Sequence, residues 1–351
     1  MGSVESSARQ QILCSRCQKL DITNVLLGDD EELPETGKSV LFLGKQSARI
    51  NCDMCRFFFS LSPNYKKKYK LHIRLFDRIK QKRNLPAFKR LVRNRFLSVL
   101  RDNSRLEYDY IIQNEATQNG ILVYLPVEQP TPSAVQLVDA TMIDYRLLDS
   151  WLSDCQGLHN LCNRVEDQRS SLPYLYLIDC IQERVVRANP SEKYLALSYV
   201  WGEQSSEHNP KAMVQETWLE GSFSFTQAPL TVQDAIRVVR NLERKYLWVD
   251  KYCINQDEIS EKSMMIRNMD QIYENAEATI VAIYGKNDKA GLPGVSKTLR
   301  KPQPCLQTAY GHFVSSFPPI STVIANSKWA TRGWTYQEAR LSRRCLFFTD
   351  H

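Results

Sequence analysis

The 351-residue sequence lacks several features that define large protein classes. No apolar run approaches the roughly 18 residues that a membrane-spanning helix needs, and residues 1–10 contain no apolar stretch typical of a secretory signal. The 13 glycines form neither a Gly-x-Gly-x-x-Gly loop nor a Walker loop, and no Gly-x-Ser-x-Gly elbow is present. These absences argue against a dinucleotide-binding Rossmann enzyme, a P-loop NTPase and an α/β-hydrolase. They predict a soluble, cytoplasmic protein.

Histidine is also scarce. With five histidines in the chain, a Cys–His nucleophile would have to use Cys253, and the spacing suggests no partner for it. The remaining composition, with 43% hydrophobic and 24% charged residues, is that of an ordinary globular protein and excludes collagen-like or largely disordered classes. At roughly 100–200 residues per domain, the length predicts two or three folded units.

The ten cysteines are unevenly spaced, and four of them form two Cys-x-x-Cys pairs, Cys14 with Cys17 and Cys52 with Cys55. In a reducing compartment such pairs favour metal over disulfides, and four thiolates suit tetrahedral zinc. The 34 residues between the pairs exceed the usual spacing of roughly 15–20, so a folded excursion has to bring the second pair back. We predict a structural Zn²⁺ at these four residues. Four small buried hydrophobic side chains are the alternative.

The net charge of +7 is concentrated in one segment. Residues 66–105 contain fifteen Lys or Arg and two acids, a net charge of +13, so the other 311 residues sum to −6. A segment of this density can bind nucleic acid or an anionic membrane. We prefer a pair of amphipathic helices with a solvated basic face, because apolar residues after Pro86 recur at helical spacing. They are Phe88, Leu91, Val92, Phe96, Val99 and Leu100.

A second group of soft ligands follows. Spacings of four and three place Cys155, His159 and Cys162 on one face of a predicted helix, where they could bind zinc with Cys180 as a fourth ligand. A packed helix face with one hydrogen-bonded histidine is the interpretation that we prefer. Residues 174–180 and 184–188 then predict a β-hairpin.

From residue 194 onward, short apolar runs alternate with amphipathic helices. The runs that predict strands are 194–200, 246–249, 278–284 and 344–349, and the helical segments are 231–244, 260–275 and 334–341. This alternation predicts an α/β domain with a parallel, doubly wound sheet, preceded by a mostly helical, cysteine-containing N-terminal region. The predicted organisation is a Cys-x-x-Cys module at 1–63, a basic helical segment at 64–120, a lead-in at 121–193 and the α/β domain at 194–351.

Ligands of such sheets bind beyond the carboxyl ends of the strands. The polar residues at those ends are Tyr199, Trp201 and Gly202 after the first strand, and Asp250 and Asn255 after the second. We predict that these residues line one rim of a binding crevice.

Four successive motifs resemble those of the HET (heterokaryon incompatibility) domain of filamentous fungi. They are YLALSYVWG at 194–202, LWVD at 247–250 with CINQ at 253–256, MDQIY at 269–273, and RGWTYQE at 332–338. The resemblance implies a trigger of programmed cell death in non-self recognition, active as a homo-oligomer or through a partner protein. It also implies a TIR-like domain with a flavodoxin-like sheet. Proteins of this family usually continue beyond a strand equivalent to 344–349. We therefore expect this chain to be a truncated or a minimal member.

Some TIR domains cleave NAD⁺ with a glutamate on a Trp-x-x-x-Glu helix, and this chain has Trp334 and Glu338 at that spacing. The resemblance therefore implies NAD⁺ as a substrate and Glu338 as the carboxylate that stabilises the ribosyl oxocarbenium ion. Trp334 would stack on a base, Arg332 would pair with the pyrophosphate, and Asp250 or Tyr199 would hold ribose hydroxyls.

Simpler roles remain open at this point. Glu338 can be a surface acid paired with a neighbouring arginine, and Trp334 can be a core anchor. Asp250 and Asn255 can cap the turn and the helix that follow them. The whole domain can also be a non-enzymatic module that signals by self-association.

Overall fold

The computed structural model describes residues 12–20, 25, 38–45, 51–61, 70–76, 96–101, 121–126, 137–163, 172–202, 225–308 and 311–351. The chain folds into two compact units, Met1–Val138 with Pro302–Ile320, and Asp139–Lys301 with the remaining residues, 321–351. Residues 302–320, which the sequence places in the C-terminal domain, therefore belong to the first unit. The other predicted domain limits stay predictions.

The described part of the first unit is built around an antiparallel sheet. Its strands are β1 (Lys38–Gly44), β2 (Leu71–Phe76), β3 (Phe96–Arg101), β4 (Ile121–Pro126), β10 (Cys305–Gln307) and β11 (Gly311–Ser315). Their order in the sheet is β1-β2-β3-β4-β11-β10, and every neighbouring pair is antiparallel. Two short helices accompany it, α1 (Ser15–Gln18) and α2 (Asp53–Ser60).

The expectation of a mostly helical N-terminal region is wrong for the described residues. Phe96, Val99 and Leu100, assigned from their spacing to an amphipathic helix, lie in β3, which pairs with β2 and β4. Leu97 to Leu100 are all buried, so both faces of this strand are covered and its side-chain pattern has no period of two. Residues Leu71–Phe76 of the predicted basic helical segment form β2, a strand as well. Most of the remaining segment lies outside the described residues.

The second unit contains a mixed sheet with a parallel centre. Its strands are β5 (Leu175–Asp179), β6 (Arg184–Ala188), β7 (Tyr194–Ser198), β8 (Tyr246–Trp248), β9 (Ala278–Ala282) and β12 (Cys345–Phe348), in the order β12-β9-β7-β8-β5-β6. Strands β12, β9, β7 and β8 are parallel, and the antiparallel hairpin β5–β6 extends the sheet next to β8. Glu183 in the hairpin turn has a positive φ of 53°. The predicted hairpin and parallel strands are confirmed, and the chain is mixed α/β with two multi-stranded sheets.

Seven further α-helices are described in the chain. They are α3 (Tyr145–Leu158), α4 (Leu230–Asn241), α5 (Asp250–Cys253), α6 (Ile259–Arg267), α7 (Met269–Asn275), α8 (Ile320–Ala325) and α9 (Gly333–Leu341). The single helix predicted over 260–275 is thus two helices. The break lies at Asn268, whose side-chain amide donates to the backbone carbonyl of Met264 at 2.8 Å, and such local bonding competes with a continuous helix.

Packing explains the position of the parallel strands. All five residues of β7 and all five of β9 are buried, as expected for a sheet covered on both faces. Tyr194 is buried at the start of β7, and its hydroxyl donates to the carbonyl of Ile272 at 2.6 Å, which joins α7 to the sheet. None of the described helices combines the length and the apolarity needed to cross a membrane.

Candidate functional site

The carboxyl ends of the parallel strands bring several predicted site residues together. Ser198 ends β7, Tyr199 follows it, and Asp250 begins α5 two residues after β8. Glu338 reaches the same edge from α9, because the Ser198 hydroxyl donates a short hydrogen bond to its carboxylate. Residues separated by 140 positions in the chain therefore meet where ligands of parallel sheets bind.

Glu338 is buried, with 5% of its surface exposed, so it is not the surface acid of the simpler interpretation. Its partner Ser198 in turn accepts a hydrogen bond of 2.7 Å from the indole Nε1 of Trp329. Burial raises the pKa of Glu338, while the Ser198 hydrogen bond and the positive charge of Arg332 oppose that rise. The result is a carboxyl group whose proton affinity is above the usual range and whose orientation is fixed by a chain of two hydrogen bonds.

Asp250 is a second perturbed carboxyl group at this edge. It accepts hydrogen bonds from the indole Nε1 of Trp201, at 3.0 and 3.2 Å to its two oxygens, and from the backbone N–H of Lys251 at 2.7 Å. Burial, followed by the negative charge of Glu338, raises the pKa of Asp250 to about 7. The two hydrogen bonds and the charge of Arg332 oppose this shift. Two carboxyl groups that repel each other are typical of sites at which protonation is tuned.

Arg332 supplies positive charge to both acids. Its guanidinium is partly exposed and donates a short hydrogen bond through Nη1 to the backbone carbonyl of Tyr199. That contact holds the cation beside β7, and a guanidinium has further N–H groups that can donate to other acceptors.

Tyr199 is 2% exposed, and its hydroxyl has no hydrogen-bond partner within the described residues. Burial, and then the negative charges of Asp250 and Asp288, place the pKa of Tyr199 well above its ordinary value. A buried hydroxyl without a partner is costly, and a ligand oxygen could satisfy it.

Gly202 is required by close contact. A Cβ atom at this position would lie 2.5 Å from Oδ1 of Asp288 and 3.2 Å from its Cγ. Asp288 is buried at 6% exposure and forms an ion pair of 3.9 Å with Lys251. Asp288 could not be found from the sequence, because nothing in its local pattern places it beside a glycine 86 positions earlier.

The remaining predicted residues differ in their surroundings. Trp334 is 56% exposed on α9 and is therefore not a core anchor, and Trp201 is 39% exposed. The tryptophan that anchors this region is Trp329, at 4% exposure, which could not be recognised from the sequence.

Asn255 uses its side-chain oxygen for local hydrogen bonds. The oxygen accepts from the N–H groups of Asp257 and Glu258, at 3.1 and 3.3 Å, just before α6. This favours the capping role for Asn255.

The four N-terminal cysteines of the two Cys-x-x-Cys pairs also come together. Cys14 and Cys52 are the N-caps of α1 and α2. The sulfur atoms of all four cysteines lie within 4.8 Å of one another. Sγ of Cys55 lies 3.5 Å from that of Cys17 and 3.9 Å from that of Cys14. Tetrahedral Zn²⁺ with bonds of about 2.3 Å separates its sulfurs by about 3.8 Å, so this donor set fits the ion. The cluster can hold a metal such as zinc.

Comparisons with known proteins agree with the motifs at the strand ends. Residues 194–338 match the family described as Heterokaryon incompatibility protein (HET). The chain is also 32% identical over 99 residues to Heterokaryon incompatibility protein 6, OR allele, of Neurospora crassa, an alignment that covers 26% of this chain and 14% of that relative. The chain thus spans a small part of the length of this relative, and no solved structure matches. Residues 194–338, less than half of the chain, are therefore similar in sequence to the HET family.

Proposed function

We propose that this protein acts in heterokaryon incompatibility as a trigger of cell death, and that its HET domain does so by hydrolysing NAD⁺ at the nicotinamide–ribose bond. The name of the Neurospora crassa relative supports the biological role. The observation that carries the enzymatic part is the pair of electrostatically coupled carboxyl groups, Glu338 and Asp250, at the carboxyl ends of the parallel strands.

The order of the parallel strands supports a TIR-like fold. Numbered along the chain, β8, β7, β9 and β12 are the second, first, third and fourth parallel strands, which is the start of the flavodoxin-like order 2-1-3-4-5. In such sheets the switch point lies between the first and third strands, here β7 and β9. Ser198, which holds Glu338, ends β7 beside that point.

The reaction needs little from the protein beyond charge and position. The C1′–N bond breaks heterolytically, its electron pair leaves with the nicotinamide nitrogen, and the departing nicotinamide is neutral. The ribosyl oxocarbenium ion is then attacked at C1′ by water, which loses one proton and yields ADP-ribose. No oxidant or reductant is consumed.

Glu338 is the catalytic residue of this proposal. Its carboxylate stabilises the oxocarbenium ion and accepts the proton of the attacking water, for which a raised pKa is suited. The hydrogen bond from Ser198 fixes the carboxylate, so little reorganisation is needed during the reaction.

Binding roles follow from exposure and charge. Trp334 offers an exposed ring for stacking on a base, and Trp201 offers another beside Asp250. Further N–H groups of Arg332 pair with the pyrophosphate. Asp250 and the hydroxyl of Tyr199, which has no partner among the described residues, bind ribose hydroxyls. The close contact between Gly202 and Asp288 shapes the wall of the site.

Nicotinamide release from NAD⁺ by the purified chain tests this function. Wild-type protein should release nicotinamide and ADP-ribose in equal amounts, whereas Glu338→Gln should lose the activity and Glu274→Gln should keep it. Glu274 is an exposed glutamate on α7 and serves as the matched control. Because activity can depend on assembly, the assay is run over a series of protein concentrations with the oligomeric state measured in parallel.

A non-enzymatic signalling module is the second candidate. It is favoured by the exposed Trp334 and Leu341 on α9, which would suit contact with another copy or a partner protein. Concentration-dependent self-association without any nicotinamide release at the highest concentration would support this function and contradict the enzyme.

We also propose that Cys14, Cys17, Cys52 and Cys55 bind a structural Zn²⁺. All four coordination positions would be filled by protein, so the ion would stabilise the first unit and take no part in chemistry.

A further inference from the structure

We propose that Cys155, His159 and Cys162 form a second metal site in this protein, for Zn²⁺, with one coordination position left to a water molecule or a small ligand. The proposal concerns the second unit and does not depend on the NAD⁺ reaction. It replaces the packed helix face that the sequence alone favours.

The local chain path brings the three ligands together. Helix α3 ends at Leu158, and His159 has extended backbone, after which Asn160–Asn163 form a short 3₁₀ turn. The N–H of His159 donates to the carbonyl of Cys155 at 3.2 Å, and the N–H of Cys162 donates to the carbonyl of His159 at 3.0 Å. The two sulfurs and a ring nitrogen consequently lie within 4.8 Å of one another. A contraction of about 1 Å brings them to the separation that tetrahedral zinc requires.

Burial distinguishes this cluster from a packed core face. The imidazole of His159 is exposed, and the two cysteines are partly buried. A side-chain set that only filled a helix interface would turn its ring inward. Here the donor atoms converge near the surface, where an ion can enter.

Arg344 makes hydrogen bonds to both cysteine residues of this cluster. Its Nε–H donates to Sγ of Cys155 at 3.2 Å, and its Nη2 donates to the carbonyl of Cys162 at 3.2 Å. A third contact, from Nη1 to the carbonyl of Glu277 at 3.2 Å, fixes the guanidinium next to β9. An N–H group directed at a ligating sulfur from outside the coordination sphere orients the ligand.

The fourth position is not filled by the residue that the sequence suggested. Cys180 is fully buried, and its Sγ donates to the carbonyl of Ile178 at 3.7 Å. Within the described residues no further Cys, His, Asp or Glu joins the three ligands. Three protein ligands with an open position differ from the closed four-cysteine cluster, and such sites keep a water or bind an external donor.

The metal content of the purified full chain tests the site. Zinc is quantified per protein molecule for the wild type, His159→Ala and Cys162→Ser, with His312→Ala and Cys305→Ser as controls. We expect each of the first two variants to bind one equivalent less than the wild type, and the controls to bind as much as it. His159 is exposed, so its replacement should leave the circular dichroism spectrum and the melting curve close to those of the wild type. A folded His159→Ala protein with unchanged zinc content would overturn the proposal.

Cobalt gives a second readout that is specific for the open position. The four-cysteine cluster also takes up Co²⁺, so the signal of this site is the sulfur-to-cobalt charge-transfer absorption that the wild type has and Cys162→Ser lacks. Added imidazole should shift the ligand-field bands in this difference spectrum, because a position is free for it. A Cys162→Ser spectrum equal to that of the wild type, or a difference spectrum that does not respond to imidazole, would contradict a three-ligand site.

Discussion

The two sheets of this molecule place their polar chemistry differently. In the second unit four strands run parallel, so their carboxyl ends share one edge, and Tyr199, Asp250 and Glu338 gather there. In the first unit every neighbouring pair of strands is antiparallel, so carboxyl ends alternate between the two edges of the sheet. Its reactive side chains lie instead in a compact cluster of four cysteines at the starts of two short helices.

The difference indicates two different roles. At the parallel edge, partly exposed aromatic and charged side chains surround two carboxyl groups that repel each other, an arrangement that is costly without a ligand. In the cysteine cluster, three of the four residues are buried, and a metal ion would use every donor. Changes at the cluster should therefore affect folding, and changes at the edge should affect activity and pH response.

The largest effect is expected from Cys55→Ser in the cluster. Structural zinc contributes about 10–16 kcal/mol in small zinc modules, which is as large as the whole stability of a domain. We expect the variant to lose one equivalent of zinc and the backbone amides of β1, α2 and β2 to lose protection in hydrogen-exchange mass spectrometry. Amides of β7 and β9 should keep theirs.

Cys305→Ser is the control for this experiment, because Cys305 belongs to the same unit, is exposed and lies outside the cluster. Equal protection of β1 and β2 in Cys55→Ser and Cys305→Ser would mean that the cluster is a set of small packed side chains. Loss of protection in β7 and β9 as well would mean that the two units do not fold separately.

Glu338→Gln should give the opposite result to Cys55→Ser, a loss of activity without a loss of stability. The amide oxygen of glutamine can still accept the Ser198 hydrogen bond, and removal of the negative charge relieves the repulsion of Asp250. We expect nicotinamide release to fall by about 10²–10³-fold, while the melting temperature stays equal or rises. Nicotinamide release and calorimetry are measured on the same preparation. A variant that melts well below the wild type would place Glu338 among the structural residues of the fold.

The parts of the fold that were predictable have a strong local signal. Strands β7 and β9 are short, fully apolar runs between polar turns, and the face of α4 carries Val232, Ala235, Ile236 and Val239 at helical spacing, all of them buried. Strand β3 was misassigned because all four residues from Leu97 to Leu100, including Ser98, are buried, and a mainly apolar run without strict alternation fits a helix as well as a strand. Its pairing with β2 and β4 decides the outcome, and that information is not local.

The candidate site was likewise predictable only where its residues carry a local signal. Asp250 and Tyr199 follow buried strands, so the rule for parallel sheets located them, and Glu338 came from a motif resemblance. The hydrogen bonds of Ser198 to Glu338 and to Trp329 depend on contacts across more than 130 positions. Such contacts form when α9 packs on the sheet and leave no local pattern.

Gly202→Ala tests whether the close contact between Gly202 and Asp288 constrains the packing at the parallel edge. The new Cβ would meet the Asp288 carboxylate at 2.5 Å, and the Asp288 backbone cannot retreat freely because its carbonyl accepts from the N–H of Thr231 at 3.0 Å. We expect a loss of about 1–3 kcal/mol in the free energy of unfolding, measured by denaturant titration. Shortening the acid in the double variant Gly202→Ala/Asp288→Ser should restore part of it. Additive losses in the double variant would show that the two residues do not constrain each other.

The smallest effect is expected for Asp250→Asn, and it depends on pH. The pKa of Asp250 is raised to about 7 in the folded chain from about 3.9 in the unfolded chain, so between these values the folded state binds more proton. Its contribution is therefore fully present below pH 4 and is lost as pH rises through 7, where the charged carboxylate opposes folding. Because Asp250 is partly exposed, we expect asparagine to raise the unfolding free energy at pH 8 by only about 1–2 kcal/mol, with no gain at pH 4. Thermal melts from pH 4 to 8 measure this, with Asp257→Asn, an exposed aspartate near the same turn, as the control. A gain that is constant across pH, or equal in the two variants, would show that the pKa of Asp250 is not raised. The parallel edge and the cysteine cluster would then not differ in the electrostatic way described above.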